Sequence, residues 1–246
     1  MNDWIVPDWP APEVVRALST TRMGGFSAAP YESLNLGDHV GDEPSRVRRN
    51  RKYLMQRLGL ASDPPWLQQV HGCEVVMCGQ TGLAPQADAI TAVAPGEVCA
   101  VLTADCLPVL LCDRSGKQVA AVHAGWRGLQ AGVIESAVAS FGESRDQILA
   151  WLGPAIGPEA FEVGSEVRDA FMRIHPRDEQ AFSPGRNNRW MADIYQLARN
   201  RLKQCDVSFV GGGEYCTHSD PDRFFSYRRD GITGRMASLI WIDGKE

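Results

Sequence analysis

An α+β layered sandwich, with mixed β-sheets and flanking helices, is the fold class this sequence predicts. Three observations predict it. Short Val- and Leu-rich runs mix with amphipathic helical stretches without a strict βαβα order. The stretch from Val98 to Cys112 is apolar almost throughout, as suits a strand buried on both faces. No Pro/Gly/Ser linker and no fixed-period repeat divides the 246 residues, so a single domain over 1–246 is expected, with 44% apolar residues as ample core.

The elements follow in order. Residues 19 to 42 are dense in Gly, Ser, Thr and Asn and read as a strand end followed by a long functional loop. Asp42 or Ser45 can cap a helix that runs to Leu58 and stops at Gly59, with Val47, Tyr53, Leu54 and Leu58 near helical spacing. WLQQV, HGCEVVMC and DAITAV read as short strands. The buried run to Cys112, the turn DRSGK and the return strand QVAAVHA form a hairpin. A helix is expected over Leu129 to Phe141 on the stripe Leu129, Val133, Ala137 and Phe141. ILAWLGPAIGP is a strand entering a Gly/Pro loop. SEVRDAFMRI is a helix capped by Ser165, MADIYQLARNRLKQC another, and GRMASLIWI a closing strand.

Bulk properties narrow the function classes. With 25 basic against 30 acidic residues the formal net charge is −5, which gives no electrostatic footprint for a nucleic-acid backbone. The one basic cluster, RVRRNRK at 46–52, lies on the first helix and reads as a solvated face. No apolar stretch has the roughly 20 residues of a membrane span, and the N-terminus has no signal-peptide pattern. A soluble cytoplasmic protein, taken as a monomer, is expected. Seven cysteines at 73, 78, 99, 106, 112, 205 and 216, without CxxC spacing, are expected to be reduced and mostly just buried.

The hairpin brings chemistry together. A two-residue turn at 114 and 115 sets Cys106 directly opposite His123. A turn at Ser115 and Gly116, or a four-residue loop, sets Pro108 opposite His123. Cys106 is then a diagonal neighbour on the same face, about 7 Å away. A three-residue loop separates the two residues unless a bulge at Pro108 restores parity. His71, at the edge of an apolar segment and followed by Gly72, is a candidate third member. Two imidazoles and a thiolate suit zinc or copper, and three protein ligands leave an open position of the kind that activates water. The same atoms also suit a thiol nucleophile with a histidine base and Asp105 as orienting group. The residues alone leave both open.

TRMGGFS, SLNLG, QVHG, TADCLPV, VHAGWRG, WLGPAIGP, FEVG, DIYQLAR and FFSYRRDGITGRMAS together resemble the bacterial YfiH family, whose eukaryotic relatives are the laccase-domain-containing proteins. The resemblance covers nearly the whole chain. It implies a fold similar to the catalytic domain of the cytotoxic necrotizing factor toxins. It also implies a His-Cys-His trio at His71, Cys106 and His123, serving as metal ligands and catalytic residues. The activities it implies are phosphorolysis of adenosine, inosine and methylthioadenosine, together with adenosine deamination at a zinc site. Two further labels go with the family, copper-dependent polyphenol oxidase and peptidoglycan editing factor, the latter matching a cysteine-type amidase.

These labels differ physically. A multicopper oxidase takes about ten histidine-type ligands, whereas the chain has five histidines, at 39, 71, 123, 175 and 218. The familiar zinc deaminases use H-x-E; here the letters are HAG, so the proton shuttle must lie elsewhere, with Asp105, Glu162 and Asp88 as candidates. Phosphate can be held by Arg22 with Gly24 and Gly25, by Asn35, and by Arg127, since guanidinium forks and backbone amides suit phosphate oxygens. Each of these also has an ordinary structural role: a turn, a loop cap, a paired helix-end charge. FFSYRRDGITGR adds aromatics and three arginines that can stack on a base and bind an anion, or equally seal a core edge. The expected partners are a purine nucleoside and phosphate, with no nucleic acid and no membrane. A non-catalytic metal or nucleotide-binding module is the remaining alternative.

Overall fold

A computed structural model describes residues 3–80 and 84–244. Residues 1, 2, 81–83, 245 and 246, which the single-domain expectation includes, lie outside the described residues. The chain begins with β1 (Val15–Ser19), passes through a long loop to α1 (Pro44–Leu58), and continues as β2 (Val75–Met77), β3 (Ala89–Ala92), β4 (Val98–Thr103), β5 (Leu107–Asp113) and β6 (Val119–Ala124). Next come α2 (Trp126–Ala131), α3 (Val133–Ala139), β7 (Ile148–Leu152), β8 (Glu162–Val163) and α4 (Ser165–Ile174). The remainder holds β9 (Phe182–Pro184), β10 (Trp190–Ala192), α5 (Ile194–Gln204), β11 (Phe209–Gly212), the single turn α6 (Tyr227–Asp230) and β12 (Met236–Ile242).

A six-stranded mixed sheet in the order β11-β7-β5-β6-β3-β2 forms the centre, parallel at β11/β7 and β2/β3 and antiparallel elsewhere. Side-chain alternation splits it into two faces. Leu107, Val109 and Leu111 of β5 meet Leu129, Val133, Ala137 and Leu197 from α2, α3 and α5. Leu110 and Cys112 face the other way, onto Cys99, Val101 and Ile240 of the antiparallel sheet β1-β12-β4. That second sheet buries its far side, through Ala100, Leu102 and Leu239, against Leu54 of α1 together with Leu34, Leu36 and Trp66. Four layers result, helix on sheet on sheet on helix, which is the α+β sandwich with mixed sheets that the sequence predicts. A small antiparallel sheet, β8-β10-β9, packs into the helix-side core through Val163, Phe182 and Ala192.

Several elements depart from their sequence reading. The run from Val98 to Cys112 is not one strand. It bends at 104–106, where Asp105 takes φ 90, so β4 joins β12 in one sheet while β5 pairs with β6 in the other. The hairpin is correspondingly shorter, and its four-residue loop sets Pro108 opposite His123. WLQQV is not a strand and contributes only a bridge from Gln68 to Gln86. Gln69 pairs with the open edge of β4 through its side-chain amide, donating to the Leu102 carbonyl at 2.8 Å and accepting from its N–H at 2.7 Å.

Helix ends shift for local reasons. Helix α1 stops before Gly59 as expected (φ 66), but Glu43 is its N-cap, because Asp42 already accepts from Ser27 and Asn35. The helix expected over Leu129 to Phe141 begins at Trp126 and breaks at Gly132, whose φ of 102 no regular helix allows. Gly164, not Ser165, precedes α4. Met191 and Ala192 belong to β10, and α5 starts after Asp193, whose carboxylate accepts from Gln196 N–H. Among the described residues no helix is long and apolar enough to cross a membrane.

Candidate metal site

His71, Cys106 and His123 converge where β4 bends into β5. On β6, His123 shares the parity of Val119 and Ala121, so its ring points between the two sheets at their end. Its Nδ1 donates to Asp88 Oδ1 at 2.8 Å, and its backbone N–H donates to the Asp88 carbonyl at 2.7 Å. Nδ1 therefore carries the proton, and Nε2 is left for the cluster.

Asp88 holds both histidines. Fully buried just before β3, it also accepts the backbone N–H groups of Val70, His71 and Gly72 at 3.1, 2.9 and 2.7 Å. These bonds support the left-handed φ of 61 at His71. Burial works against the Asp88 charge, but the His123 hydrogen bond and the backbone donors outweigh it and keep the carboxyl below its ordinary value. The sequence reading named Asp88 only as a proton-shuttle candidate. A carboxylate at the mouth of an apolar strand, needing several donors if buried, was the available signal.

Cys106 is half-buried, with Sγ 3.9 Å from His71 Nε2. The ligand atoms of all three residues lie within 4.8 Å of one another, and the two imidazole rings meet edge to face. Burial opposes the Cys106 thiolate, but the His123 charge and hydrogen bonds from His123 and His71 prevail and bring the thiol down to about 6. For His123, burial is again the opposing effect, while the Cys106 charge and the Asp88 hydrogen bond raise it to about 9. Without a metal, both shifts favour a thiolate beside an imidazolium between those two values.

The donor set fits a metal ion. Two nitrogens and a sulfur at zinc bond lengths stand about 3.4–3.6 Å apart in tetrahedral geometry, so the 3.9 Å separation and the 4.8 Å limit close with small side-chain shifts. Gly125 keeps the space beside the trio clear, since a Cβ there would lie 2.8 Å from His71 Cδ2 and 3.0 Å from Cys106 Sγ. A Cβ at Gly128 would lie 2.7 Å from the Gly72 carbonyl. Both glycines of VHAGWRG are thus explained by close approach. Among the described residues this is the one group of three or more His, Cys, Asp or Glu side chains placed to hold a metal.

A cleft of about 240 Å³ opens on His71 and Cys106. Trp126, Ile156, Phe161, Ile194 and Tyr227 give it apolar walls, Arg127 and Arg228 positive charge, and Ala104 and Asp105 complete the lining. Of the four substrate-binding candidates, Arg127 borders this cleft, its guanidinium 4.4 Å from the Trp126 ring centroid. The other three are not among the lining residues. Arg22 donates to the carbonyls of Glu32 and Pro221. A Cβ at Gly25 would lie 2.3 Å from the Ser33 carbonyl. Asn35, fully buried, donates to Gly37 and Asp42 and accepts from the N–H groups of Gly37 and Arg235. Glu162 is not among the lining residues; its carboxylate pairs with Arg189 at 3.4 Å and its carbonyl accepts from the lining Arg228 at 2.9 Å.

Within FFSYRRDGITGR the arginines divide. Arg228 lines the cleft while its Nη1 donates to the Glu162 carbonyl at 2.9 Å; Arg229 ties the carbonyls of Thr217, His218 and Phe224; Arg235 donates to the carbonyls of Thr233 and Gly234. In the basic cluster Arg46 pairs with Glu43, Arg49 covers Phe26, and Arg51 covers Trp66. All seven cysteines are free.

The family model for the multi-copper polyphenol oxidoreductase laccase matches residues 16–243. The chain is similar to a purine nucleoside phosphorylase of Pseudomonas aeruginosa, 56% identical over 98% of this chain and 99% of that protein. It is also similar to purine nucleoside phosphorylase YfiH of Escherichia coli, 54% identical over 98% of this chain and 100% of that protein. Among solved structures, a Neisseria meningitidis protein superposes with a TM-score of 0.93 at 49% identity, covering 98% of this chain and all 100% of that one. YlmD from Geobacillus stearothermophilus superposes at 0.91 with 30% identity, covering 98% and 96%.

Proposed function

The chain belongs to the YfiH family, and on that premise we propose that it is a purine nucleoside phosphorylase, converting adenosine, inosine or methylthioadenosine and phosphate into the free base and the corresponding ribose 1-phosphate. The observation that carries this reading is the cleft itself, in which aromatic walls and two arginines meet at the His-Cys-His trio. Phosphorolysis needs a flat apolar surface for a base and donors for an anion, and both are present. The names of the two relatives support the same activity.

In this reading His71, Cys106 and His123 hold zinc, with copper as the alternative. When bound, the ion supplies Lewis acidity next to the substrate. Trp126, Phe161 and Tyr227 pack against the base, and Arg127 and Arg228 attract phosphate. Asp88 keeps His123 oriented with Nδ1 protonated. Arg22, Gly25 and Asn35 act at one remove by bracing the loop over 20–42. Adenosine deamination at the same site belongs to the proposal. Of its three proton-carrier candidates, Asp88 and Asp105 accept hydrogen bonds at both carboxylate oxygens, and Glu162 pairs with Arg189. We take the protein to work as a cytoplasmic monomer, one unit over 1–246, with no nucleic-acid or membrane partner.

One observation favours a second reading, a cysteine-type amidase acting on peptidoglycan precursors. Cys106 at about 6, with His123 backed by Asp88 at 2.8 Å, has the form of an activated thiol nucleophile. Incubation of purified protein with adenosine, with and without phosphate, separates the readings. Adenine and ribose 1-phosphate are expected only with phosphate, with loss in chelator and recovery with zinc. No turnover of any purine nucleoside would sink the phosphorylase; chelator-resistant activity lost in Cys106→Ala would favour the amidase. Phenol oxidation on copper loading would favour the oxidase. Nucleotide affinity without turnover would leave only a binding module.

A further inference from the structure

We infer that Asp105 is a positioning residue whose carboxylate locks the bend that turns Cys106 into the cleft and ties that bend to the Tyr227–Arg228 wall. The inference rests on the reading of His71, Cys106 and His123 as the working site. Strands β4 and β5 lie in different sheets, so the chain must cross between layers at 104–106. Asp105 makes the crossing with φ 90, a conformation that side chains of L-residues rarely adopt. Such a backbone persists only where its surroundings over-determine it.

The surroundings are specific. The Asp105 carbonyl accepts the Ile156 N–H at 2.9 Å, Oδ1 accepts the Thr217 hydroxyl at 2.6 Å, and Oδ2 accepts the Arg228 N–H at 2.6 Å. Thr217 is itself anchored, its N–H donating to the Ala155 carbonyl at 2.9 Å. One residue therefore joins the β4–β5 bend, the loop after β7, the segment after β11 and the start of α6. Hydrogen bonds to an ionised acceptor are the stronger kind. Asp105 borders the cleft, but both of its carboxylate oxygens are engaged by the clamp. Its influence passes to its chain neighbour Cys106, whose direction the bend sets, and to Tyr227 and Arg228, which line the same cleft.

Two substitutions separate backbone from carboxylate. Asp105→Gly adopts φ 90 without strain but removes the clamp. Asp105→Asn can accept from Arg228 with its oxygen while its amide donates to the Thr217 hydroxyl, which rotates to accept. Thr217→Val, of similar shape, removes one donor and leaves the bend. Zinc affinity by chelator competition, the thiolate-to-metal band of cobalt-loaded protein, melting temperature and KM against kcat are the readouts. Asp105→Gly is expected to bind metal about tenfold or more weakly, with a diminished thiolate band and a raised KM, while Asp105→Asn stays within about threefold of wild type. Thr217→Val should fall between. In metal-free protein at neutral pH, Cys106 of Asp105→Gly, no longer held beside His71 and His123, should react with iodoacetamide at least about threefold more slowly than in wild type, followed at the Cys106 peptide. If wild type binds no metal, the metal reading fails, and the alkylation rates alone decide this inference. Equal alkylation in Asp105→Gly and wild type, or equal damage from Asn and Gly, would overturn it.

Discussion

Each imidazole of the trio is held differently, and the difference determines what substitution does. His123 is fixed through its ring and His71 through its backbone, yet both depend on Asp88. Asp88→Ala strands three backbone N–H groups and one ring N–H, at about 1–3 kcal/mol for each that stays dry. We expect urea unfolding to report a loss of at least about 3 kcal/mol, with metal affinity down about 10–100-fold. Unchanged affinity would refute the shared-clamp account. Protons and metal also compete here. In metal-free protein His123 keeps its proton up to about 9 while Cys106 is ionised above about 6, so an incoming ion must expel one proton between those values. Apparent zinc affinity should therefore rise about tenfold per pH unit over that window and more steeply below it. A flat affinity in chelator competition across the window would contradict it. The Cys106–His123 pair was legible as a candidate because the hairpin sets a thiol and an imidazole on one face, and the resemblance to the YfiH family completed the trio with His71. Asp88 was not legible as a clamp, because its four donors come from two distant segments that only the fold unites.

Elements were most legible where pattern and punctuation agreed. Gly59 ends α1 as its letters say, and the four-residue loop after β5 gives one of the two registers that keep Cys106 and His123 on one face. The long apolar run misled, since hydrophobicity alone does not mark where a strand leaves one sheet for another. Asp105 was the visible interruption, and its meaning depended on partners over a hundred residues away. A sharper test lies at Gly125, the N-cap of α2. Its φ of −62 and ψ of 155 suit any residue, so an alanine meets no backbone penalty. What it meets is His71 at 2.8 Å and Cys106 at 3.0 Å. Gly125→Ala should accordingly keep its melting temperature to within a few degrees and lose most metal affinity and turnover. If metal affinity survives, the close approach does not matter. Gly132→Ala is the control with the opposite signature. Its φ of 102 makes alanine strained by about 1–3 kcal/mol, so stability falls while metal affinity holds, since a Cβ there would approach only Glu135 within 4 Å.

Across the whole molecule, four layers leave one end where the bend between sheets, the β6 end and the segment over 217–228 meet, and the cleft lies there. The loop over 20–42 supports this end from the side of the second sheet. Its composition reads as ligand-binding, yet its polar groups are largely spent on each other, as Asn35 and Asp42 illustrate. A loop built to pack and a loop built to bind use the same small polar residues, which is why letters alone do not separate them. Paired substitutions do. Asn35→Ala leaves the N–H groups of Gly37 and Arg235 without their acceptor. That costs about 1–3 kcal/mol for each group that stays dry, or about 2–4 °C of melting temperature per kcal/mol in a chain of this size. Arg127, exposed beside Trp126, has no hydrogen bond of that kind to lose, so Arg127→Ala should melt with wild type while KM for phosphate or nucleoside rises. Melting scans and phosphorolysis kinetics on the two variants give crossed outcomes if Asn35 braces and Arg127 binds. A raised KM in Asn35→Ala at unchanged melting temperature would return Asn35 to the substrate, and the loop over 20–42 with it.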